Sequence, residues 1–281
     1  MSMRYDEAYR LGRQRLFAAG IEEADLDARL LLEFTTGADR NVLFAHPDRE
    51  VTAEEADRYL AFLDMRCKRI PLQHITNAQS FMGLEFYVDE NVLIPRADTE
   101  ILAEEVLRDP FDGCRILDIC SGSGCILLSL LHYSNDTTGT GLELSKKAIE
   151  VSCINRRSLG LDDRAQFLNS DLLEKADGYY DIVVSNPPYI KTDVIHTLMP
   201  EVRDHEPLMA LDGKDDGLYF YKKILSDVIG HVRKGSRLYF EIGYDQGQEV
   251  SALCKEAGFI DIRTVKDYAG CDRVVCGVFG G

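Results

Sequence analysis

No stretch of this chain of 281 residues approaches the roughly 20 consecutive apolar residues that a membrane-spanning helix needs. The amino terminus, MSMRYDEAYRLGRQRLF, is polar and amphipathic and lacks the apolar centre of a signal peptide. From these absences we expect a cytoplasmic protein without a membrane partner. Positive charge is also scarce. The chain holds 32 Lys and Arg against 48 Asp and Glu, a formal net charge of −16. A protein that grips a phosphate backbone needs the opposite balance, so no nucleic-acid partner is expected. Of the 8 cysteines none forms a C-x-x-C pair, and no Cys/His group has zinc-ligand spacing, so no metal is expected. Several lie in strand-like apolar runs such as CRILDIC and RVVCGVF, and read as small buried hydrophobes in a reducing compartment. Internal repeats and low-complexity tracts are missing as well.

What is present falls into three parts. Residues 1–76 read as a small helical bundle. YDEAYRLGRQRLFAAG and EADLDARLLLEFTTG carry apolar residues at helical spacing and stop at Gly20 and Gly37. TAEEADRYLAFLDMRCKRI opens on Thr52, with Glu54 and Glu55 in its first turn and Arg66, Lys68 and Arg69 near its end. That arrangement caps a helix and suits its dipole, and Pro71 marks the stop. Residues 77–96 change character. FMGLEFYVDENVLIP, broken by Gly83 and by Asp89, Glu90 and Asn91, predicts a linking β-hairpin. From 97 to 281 the pattern alternates between helix and strand. Strands are predicted at CRILDIC, GTGLEL, AQFLNSD, YYDIVVSN, RLYFEIG, FIDIRTVKD and DRVVCGVFG. Strands alternating with helices predict an α/β domain: a doubly wound, seven-stranded, mostly parallel sheet with an antiparallel edge hairpin.

The chemistry collects at the strand ends. The first strand runs into LDICSGSGC, with Asp118, Cys120, Ser121, Gly122, Ser123 and Gly124. A glycine-rich turn lets a ligand approach the backbone closely, though such a turn also occurs without one. It is neither G-x-x-x-x-G-K-[ST] nor G-x-G-x-x-G. Glu143 closes the second strand, where a carboxylate can accept both hydroxyls of a ribose. Asp171, followed by Leu172, comes after the third. These turns hold no basic residue to pair with a diphosphate, which favours a nucleoside carrying an amino-acid tail over a dinucleotide. The fourth strand stops at SNPPYI. Two consecutive prolines cannot continue a central strand, so Asn186 stands on a stiff mount.

The glycine turn, Glu143 and NPPY together resemble the class I (Rossmann-like) S-adenosylmethionine-dependent methyltransferases that act on planar amide or exocyclic amino nitrogens. VLIPRADTE (92–100), HEPLMALDGKDDGL (205–218) and KDYAGCDRVV (266–275) resemble blocks of the protein-(glutamine-N5) methyltransferases of the PrmC/HemK family. The likeness spans nearly the whole chain. It implies S-adenosyl-L-methionine as cofactor, S-adenosyl-L-homocysteine as product, and peptide chain release factors as substrate, methylated on the glutamine of their Gly-Gly-Gln motif. It implies that Asp118, Cys120, Ser121, Gly122, Ser123, Gly124, Glu143, Asp171, Leu172 and Asn186 hold the cofactor. It further implies that Asn186, Pro187, Pro188 and Tyr189 receive the glutamine, with Asn186, Pro187 and Tyr189 catalytic. Asn186 Oδ1 and the Pro187 carbonyl would each accept one N–H of the substrate amide, and Tyr189 would lie against it. The helical residues 1–76 would recognise the protein substrate. The chain departs from the family pattern at Ile119, Cys120 and Ser121, where Leu-Gly-Thr is common, and at Leu172, where an aromatic is common. A ribosomal-protein glutamine methyltransferase is a close alternative. An adenine-N6 methyltransferase of nucleic acid would present a similar planar N–H₂ but sits badly with the net charge. A binding module with a decayed site sits badly with the intact motif set.

Overall fold

The computed structural model describes residues 3–281, which form two compact units. One comprises residues 3–77 together with Met199–His205; the other comprises Ala78–Leu198 and Glu206–Gly281. No helix among the described residues is long and apolar enough to cross a membrane.

The first unit contains β1 (Met3–Arg4), α1 (Tyr5–Ala18), α2 (Ala24–Thr36), α3 (Arg40–Ala45), β2 (Glu50–Val51), α4 (Ala53–Cys67) and α5 (Leu72–Thr76). The three longer helices follow the sequence signals. α2 ends at Gly37, whose φ of 69° supplies the left-handed stop. α4 opens in a capping box: Thr52 Oγ1 accepts the Glu55 N–H at 3.2 Å, and the Glu55 carboxylate accepts the Thr52 N–H at 2.8 Å. The short helices α3 and α5, and the ladder pairing Met3 with Val51 and Arg4 with Glu50, were not expected. They are too brief to show a hydrophobic period. Leu16, Leu31, Leu32, Tyr59 and Leu63 fill the core.

This unit also has a charged interior. Arg66 Nε donates to Asp27 Oδ2 at 2.7 Å, and its Nη1 and Nη2 both donate to Glu201 Oε1 at 3.0 Å. Arg69 Nη1 reaches the same oxygen at 3.0 Å. Arg66, Asp27 and Glu201 are all buried. Burial pushes the Glu201 carboxyl up, but its own N–H, Arg69 and Arg66 hold it below the ordinary value. A segment 135 residues further along the chain thus completes the ion cluster begun by α2 and α4.

In the second unit β3 (Gln79–Phe81) and β4 (Leu84–Phe86) form the expected hairpin. There follow α6 (Ala97–Leu107), β5 (Arg115–Ile119), α7 (Cys125–His132), β6 (Thr138–Glu143), α8 (Lys146–Ser158), β7 (Ala165–Asn169) and β8 (Tyr180–Ser185). The chain then contributes α9 (Pro200–His205) to the first unit and returns with α10 (Tyr219–Val228), β9 (Val232–Glu241), α11 (Gly247–Glu256), β10 (Phe259–Lys266) and β11 (Asp272–Phe279). The seven strands lie in the order β10-β11-β9-β8-β5-β6-β7. β11 is antiparallel to both its neighbours and all other pairs are parallel. Helices cover both faces, so the central strands read as unbroken apolar runs; Ile116, Leu117 and Ile119 are all fully buried. Leu102, Val106, Leu127 and Leu131 pack on one face, and Tyr221, Ile224, Val250 and Cys254 on the other. Of the cysteines Cys125, Cys254 and Cys276 are buried, whereas Cys271 is exposed; all are free thiols.

β6 and the turn before α7 each have a glycine where space demands one. A Cβ on Gly141 would stand 2.4 Å from Phe167 Cδ1, and one on Gly124 2.8 Å from Phe167 Cζ. The Phe167 ring therefore sets how closely the glycine turn lies on the sheet. Gly141→Ala is expected to destabilise the fold by about 1–3 kcal/mol through overpacking. Chemical denaturation of the full chain checks this, and an unchanged midpoint would mean the ring moves aside freely.

Candidate active site

From β5 the chain steps to β6 and β7 on one side, then crosses to β8 on the other. The point of reversal lies between the carboxyl ends of β5 and β8, the place where open α/β sheets leave a crevice. Register brings the strand ends together there. Ile119 pairs with Leu142 on one side and Ser185 on the other, and Glu143 pairs with Asn169. A cavity of about 350 Å³ opens at this edge, a size within the usual range for small-molecule sites. Cys120, Ser121, Gly122, Ser123, Glu143, Asp171, Leu172, Asn186 and Pro188 all stand on its wall.

The glycine turn is built by left-handed backbone. Cys120, Gly122 and Gly124 have φ of 62°, 53° and 79°. Cysteine at the first of these costs about 1–2 kcal/mol relative to a relaxed conformation, and it stands where the resembling family commonly has glycine. The Cys120 and Ser121 N–H groups both bond to the Leu142 carbonyl, at 2.9 and 3.2 Å. Glu143 is held on both oxygens by backbone: Oε2 accepts the Gly122 N–H at 2.9 Å, and Oε1 the Ser145 N–H at 2.8 Å. A carboxylate oxygen has two lone pairs, so each retains one for a ligand. Asn155, buried in α8, secures the other side of the turn. Its amide bonds the Ser123 carbonyl at 2.9 Å, and the N–H and carbonyl of Tyr87 at 2.7 and 3.0 Å.

Asn186 extends from the end of β8. Its Nδ2 donates to Thr99 Oγ1 at 3.4 Å. Among the described residues no donor bonds Asn186 Oδ1 or the Pro187 carbonyl. The wall is acidic where it is charged. Glu143 and Asp171 contribute carboxylates, and the one wall cation among the described residues, Lys214, is bound by Asp212 Oδ2 at 2.9 Å.

Four of the predicted residues are not on the wall. Asp118 is fully buried beneath the turn. Burial pushes its carboxyl up to about 8, against the pull of the Leu127 N–H in the first turn of α7. Gly124 caps α7, its N–H bonded to the Ser121 carbonyl at 2.8 Å. Pro187 is buried. Tyr189 is engaged elsewhere: its hydroxyl donates to Glu241 Oε1 at 3.1 Å and its carbonyl accepts from Gln246 Nε2 at 3.2 Å.

The cavity also recruits residues that were given no site role from the sequence, most of them within the blocks VLIPRADTE and HEPLMALDGKDDGL. Val92, Leu93, Pro95 and Thr99 line it, as do Pro207, Met209 and Phe220. Apart from Thr99 they are apolar, and nothing in the chain distinguishes a wall leucine from a core leucine. Glu241 is different. It is buried at the carboxyl end of β9, and the pairing of Ser185 with Phe240 sets it beside Asn186. The signal that picked out Glu143, an acid at a strand end on this edge, was available for it too.

Residues 7–76 match the PrmC N-terminal domain, and residues 97–202 the methyltransferase small domain. The chain is 43% identical over 260 residues to a release factor glutamine methyltransferase of Clostridium acetobutylicum, covering 91% of each chain. It is 40% identical over 281 residues to a protein of the same description from Caulobacter vibrioides, covering 99% of this chain and 97% of that one. A methyltransferase structure from Pyrococcus furiosus shares the fold, with a TM-score of 0.54 at 14% identity over 72% of this chain and 92% of that one.

Proposed function

This chain belongs to the release factor glutamine methyltransferase family, and from that premise we propose that it transfers methyl from S-adenosylmethionine to the N5 amide nitrogen of the glutamine in the Gly-Gly-Gln motif of peptide chain release factors. The observation that carries the reading is the state of Asn186. Its Nδ2 donates to Thr99, so among the described residues the part of the amide left without a bonded partner on this wall is the acceptor Oδ1.

S-adenosylmethionine, when bound, supplies a methyl group on positively charged sulfur. The residues present suit such a ligand. The wall acids favour a cation, the glycine turn permits close backbone approach, and Glu143 has lone pairs to spare for ribose hydroxyls. A carboxamide nitrogen is a poor nucleophile, because its lone pair is delocalised into the carbonyl. Its two N–H groups find two acceptors in Asn186 Oδ1 and the Pro187 carbonyl. Pro187 and Pro188 fix φ, so both acceptors are aimed before substrate arrives. Both also stabilise the positive charge that develops on nitrogen as it is alkylated. No strong base is needed, since an N-alkylated, protonated amide sheds its proton readily. A single glutamine side chain offers too few contacts to single out one protein among thousands. The unit made of residues 3–77 and Met199–His205, which holds none of these site residues, is the natural supplier of that recognition.

The test is transfer of labelled methyl to purified release factor, ribosomal protein and DNA side by side. Label is expected on release factor alone, at the Gly-Gly-Gln glutamine. Label on ribosomal protein or DNA, with release factor unlabelled, would overturn the reading. Glu143→Ala is expected to weaken cofactor binding by about 1.5–3 kcal/mol, the range for a hydrogen bond to a charged group. Calorimetry on the folded variant checks it, and an unchanged affinity removes Glu143 from the cofactor site.

A further inference from the structure

We propose that Gln246 is a positioning residue for methyl transfer: its buried carboxamide ties the Asn-Pro-Pro-Tyr segment to a second stretch of the cavity wall, and so fixes where the Pro187 carbonyl stands. The proposal deepens the methyl-transfer reading above and rests on it for its meaning.

The segment poses a mechanical problem. Pro187 and Pro188 have no N–H, so neither can be tied down by a backbone donor of its own. The Pro187 carbonyl must also stay unbonded if a substrate amide is to use it. The two prolines therefore have to be held from their ends. On one side Ser185 is fixed in the sheet. It pairs with Ile119 and with Phe240, and its Oγ donates to the Ile119 carbonyl at 2.6 Å. On the other side the hold falls on Tyr189.

Gln246 supplies that hold. It stands at the start of α11 and is only 6% exposed. A carboxamide offers two N–H groups and one acceptor oxygen, and here all three are used. Oε1 accepts the Gly243 N–H at 2.9 Å, while Nε2 donates to the Tyr189 carbonyl and to the Gly217 carbonyl, each at 3.2 Å. The three backbone groups belong to three separate connections, after β9, after β8 and before α10.

The joint is built without spare room. A Cβ on Gly217 would stand 2.5 Å from the Tyr189 carbonyl oxygen and 2.6 Å from Gln246 Nε2, and one on Gly213 would stand 2.7 Å from Tyr189 Cα. Beside it the Ile190 N–H bonds the Leu211 carbonyl at 3.1 Å, and the Gly213 N–H bonds the Ile190 carbonyl at 2.8 Å. Residues 211–217 thus lie directly on Tyr189 and Ile190. The connection they belong to also puts Met209, Ala210, Lys214, Tyr219 and Phe220 on the cavity wall, so the tie joins two parts of that wall. The bond from the Tyr189 hydroxyl to Glu241 steadies the ring. Gln246 instead holds the main chain that leads back to Pro187.

The test uses the full-length enzyme with two single variants and their double. Gln246→Met keeps the length of the side chain and removes both donors. Gly217→Ala strikes the same joint from the other side, by pressing a methyl group on the Tyr189 carbonyl. A misplacement of about 1 Å can cost about 10²-fold in rate, so each variant is expected to lower kcat by roughly 10–100-fold. KM for release factor and the Kd and stoichiometry for S-adenosylmethionine should stay near wild type. Because both variants act on one joint, the double should be no slower than the slower single. A second readout needs no substrate. Hydrogen exchange at the Ile190 and Gly213 amides should quicken in Gln246→Met, while that of the Cys120 amide stays unchanged. Wild-type kcat in a folded Gln246→Met would overturn the proposal, as would effects that multiply in the double. A loss of activity matched by a loss of cofactor-binding sites would also overturn it, since that marks a role in folding alone. Should Gln246→Met fail to fold, Gly217→Ala carries the test by the same split. If wild type labels no substrate, the functional reading fails, and exchange at Ile190 and Gly213 still decides whether Gln246 is the tie.

Discussion

Asn186→Ala will bind S-adenosylmethionine nearly as wild type does, and will turn over release factor about 10²–10³ times more slowly. That is the cost of removing one preorganised group aimed at charge that develops only in the transition state. The prediction is specific because the side chain has one visible task. Its Nδ2 is already engaged by Thr99, so truncation takes a single acceptor from the cavity. The Pro187 carbonyl remains, fixed by backbone, so catalysis falls without vanishing. The loss should appear in kcat more than in KM, since substrate and transition state both keep their remote contacts. Single-turnover transfer of labelled methyl, with calorimetry for the cofactor, separates the two. Near-normal turnover in a folded Asn186→Ala would sink the two-acceptor arrangement.

The second large effect concerns the first unit. Arg66→Met keeps most of the apolar stem but removes the guanidinium from between Asp27 and Glu201. Two buried carboxylates would then face each other with only Arg69, itself partly exposed, to answer one of them. Breaking a buried pair in this way costs about 3–5 kcal/mol, because an uncompensated charge stays behind. The loss should appear as faster hydrogen exchange at the amides of α2 and α4. Adding Asp27→Asn and Glu201→Gln to Arg66→Met should recover much of the protection, since the charges then leave together. Unchanged exchange in Arg66→Met would show that solvent reaches the cluster freely.

The sheet was easy to read because its physics is local. A strand buried on both faces is a short apolar run, and CRILDIC became β5 much as written. Each polar end of such a run fell on the same edge of a parallel sheet, so Cys120, Glu143, Asp171 and Asn186 could be gathered without knowing the strand order. Other features depend on direction, which sequence does not carry. Tyr189 sits three residues from Asn186 in an irregular loop, and nothing in NPPY says that its hydroxyl is held by Glu241. Val92 lines the cavity while nearby Val88 does not, though the two side chains are chemically identical. The membership of Met199–His205 in the first unit was hidden for another reason. Hydrophobic period reports on neighbours one turn away, whereas Glu201 and Arg66 are 135 residues apart.

That separation carries a consequence for biosynthesis. A ribosome making this chain delivers α1 to α5 first, but the last piece of the unit they belong to only with residues 199–205. At roughly 5–20 residues per second, the helices wait of order ten seconds for it. During that time Arg66 and Arg69 have no Glu201 to hold, and water must serve them instead. β5 to β8, with the glycine turn and Asn186, are all synthesised within the same interval. The unit that begins the chain therefore closes only on nascent chains that already contain β5 to β8, and before β9 to β11 are made.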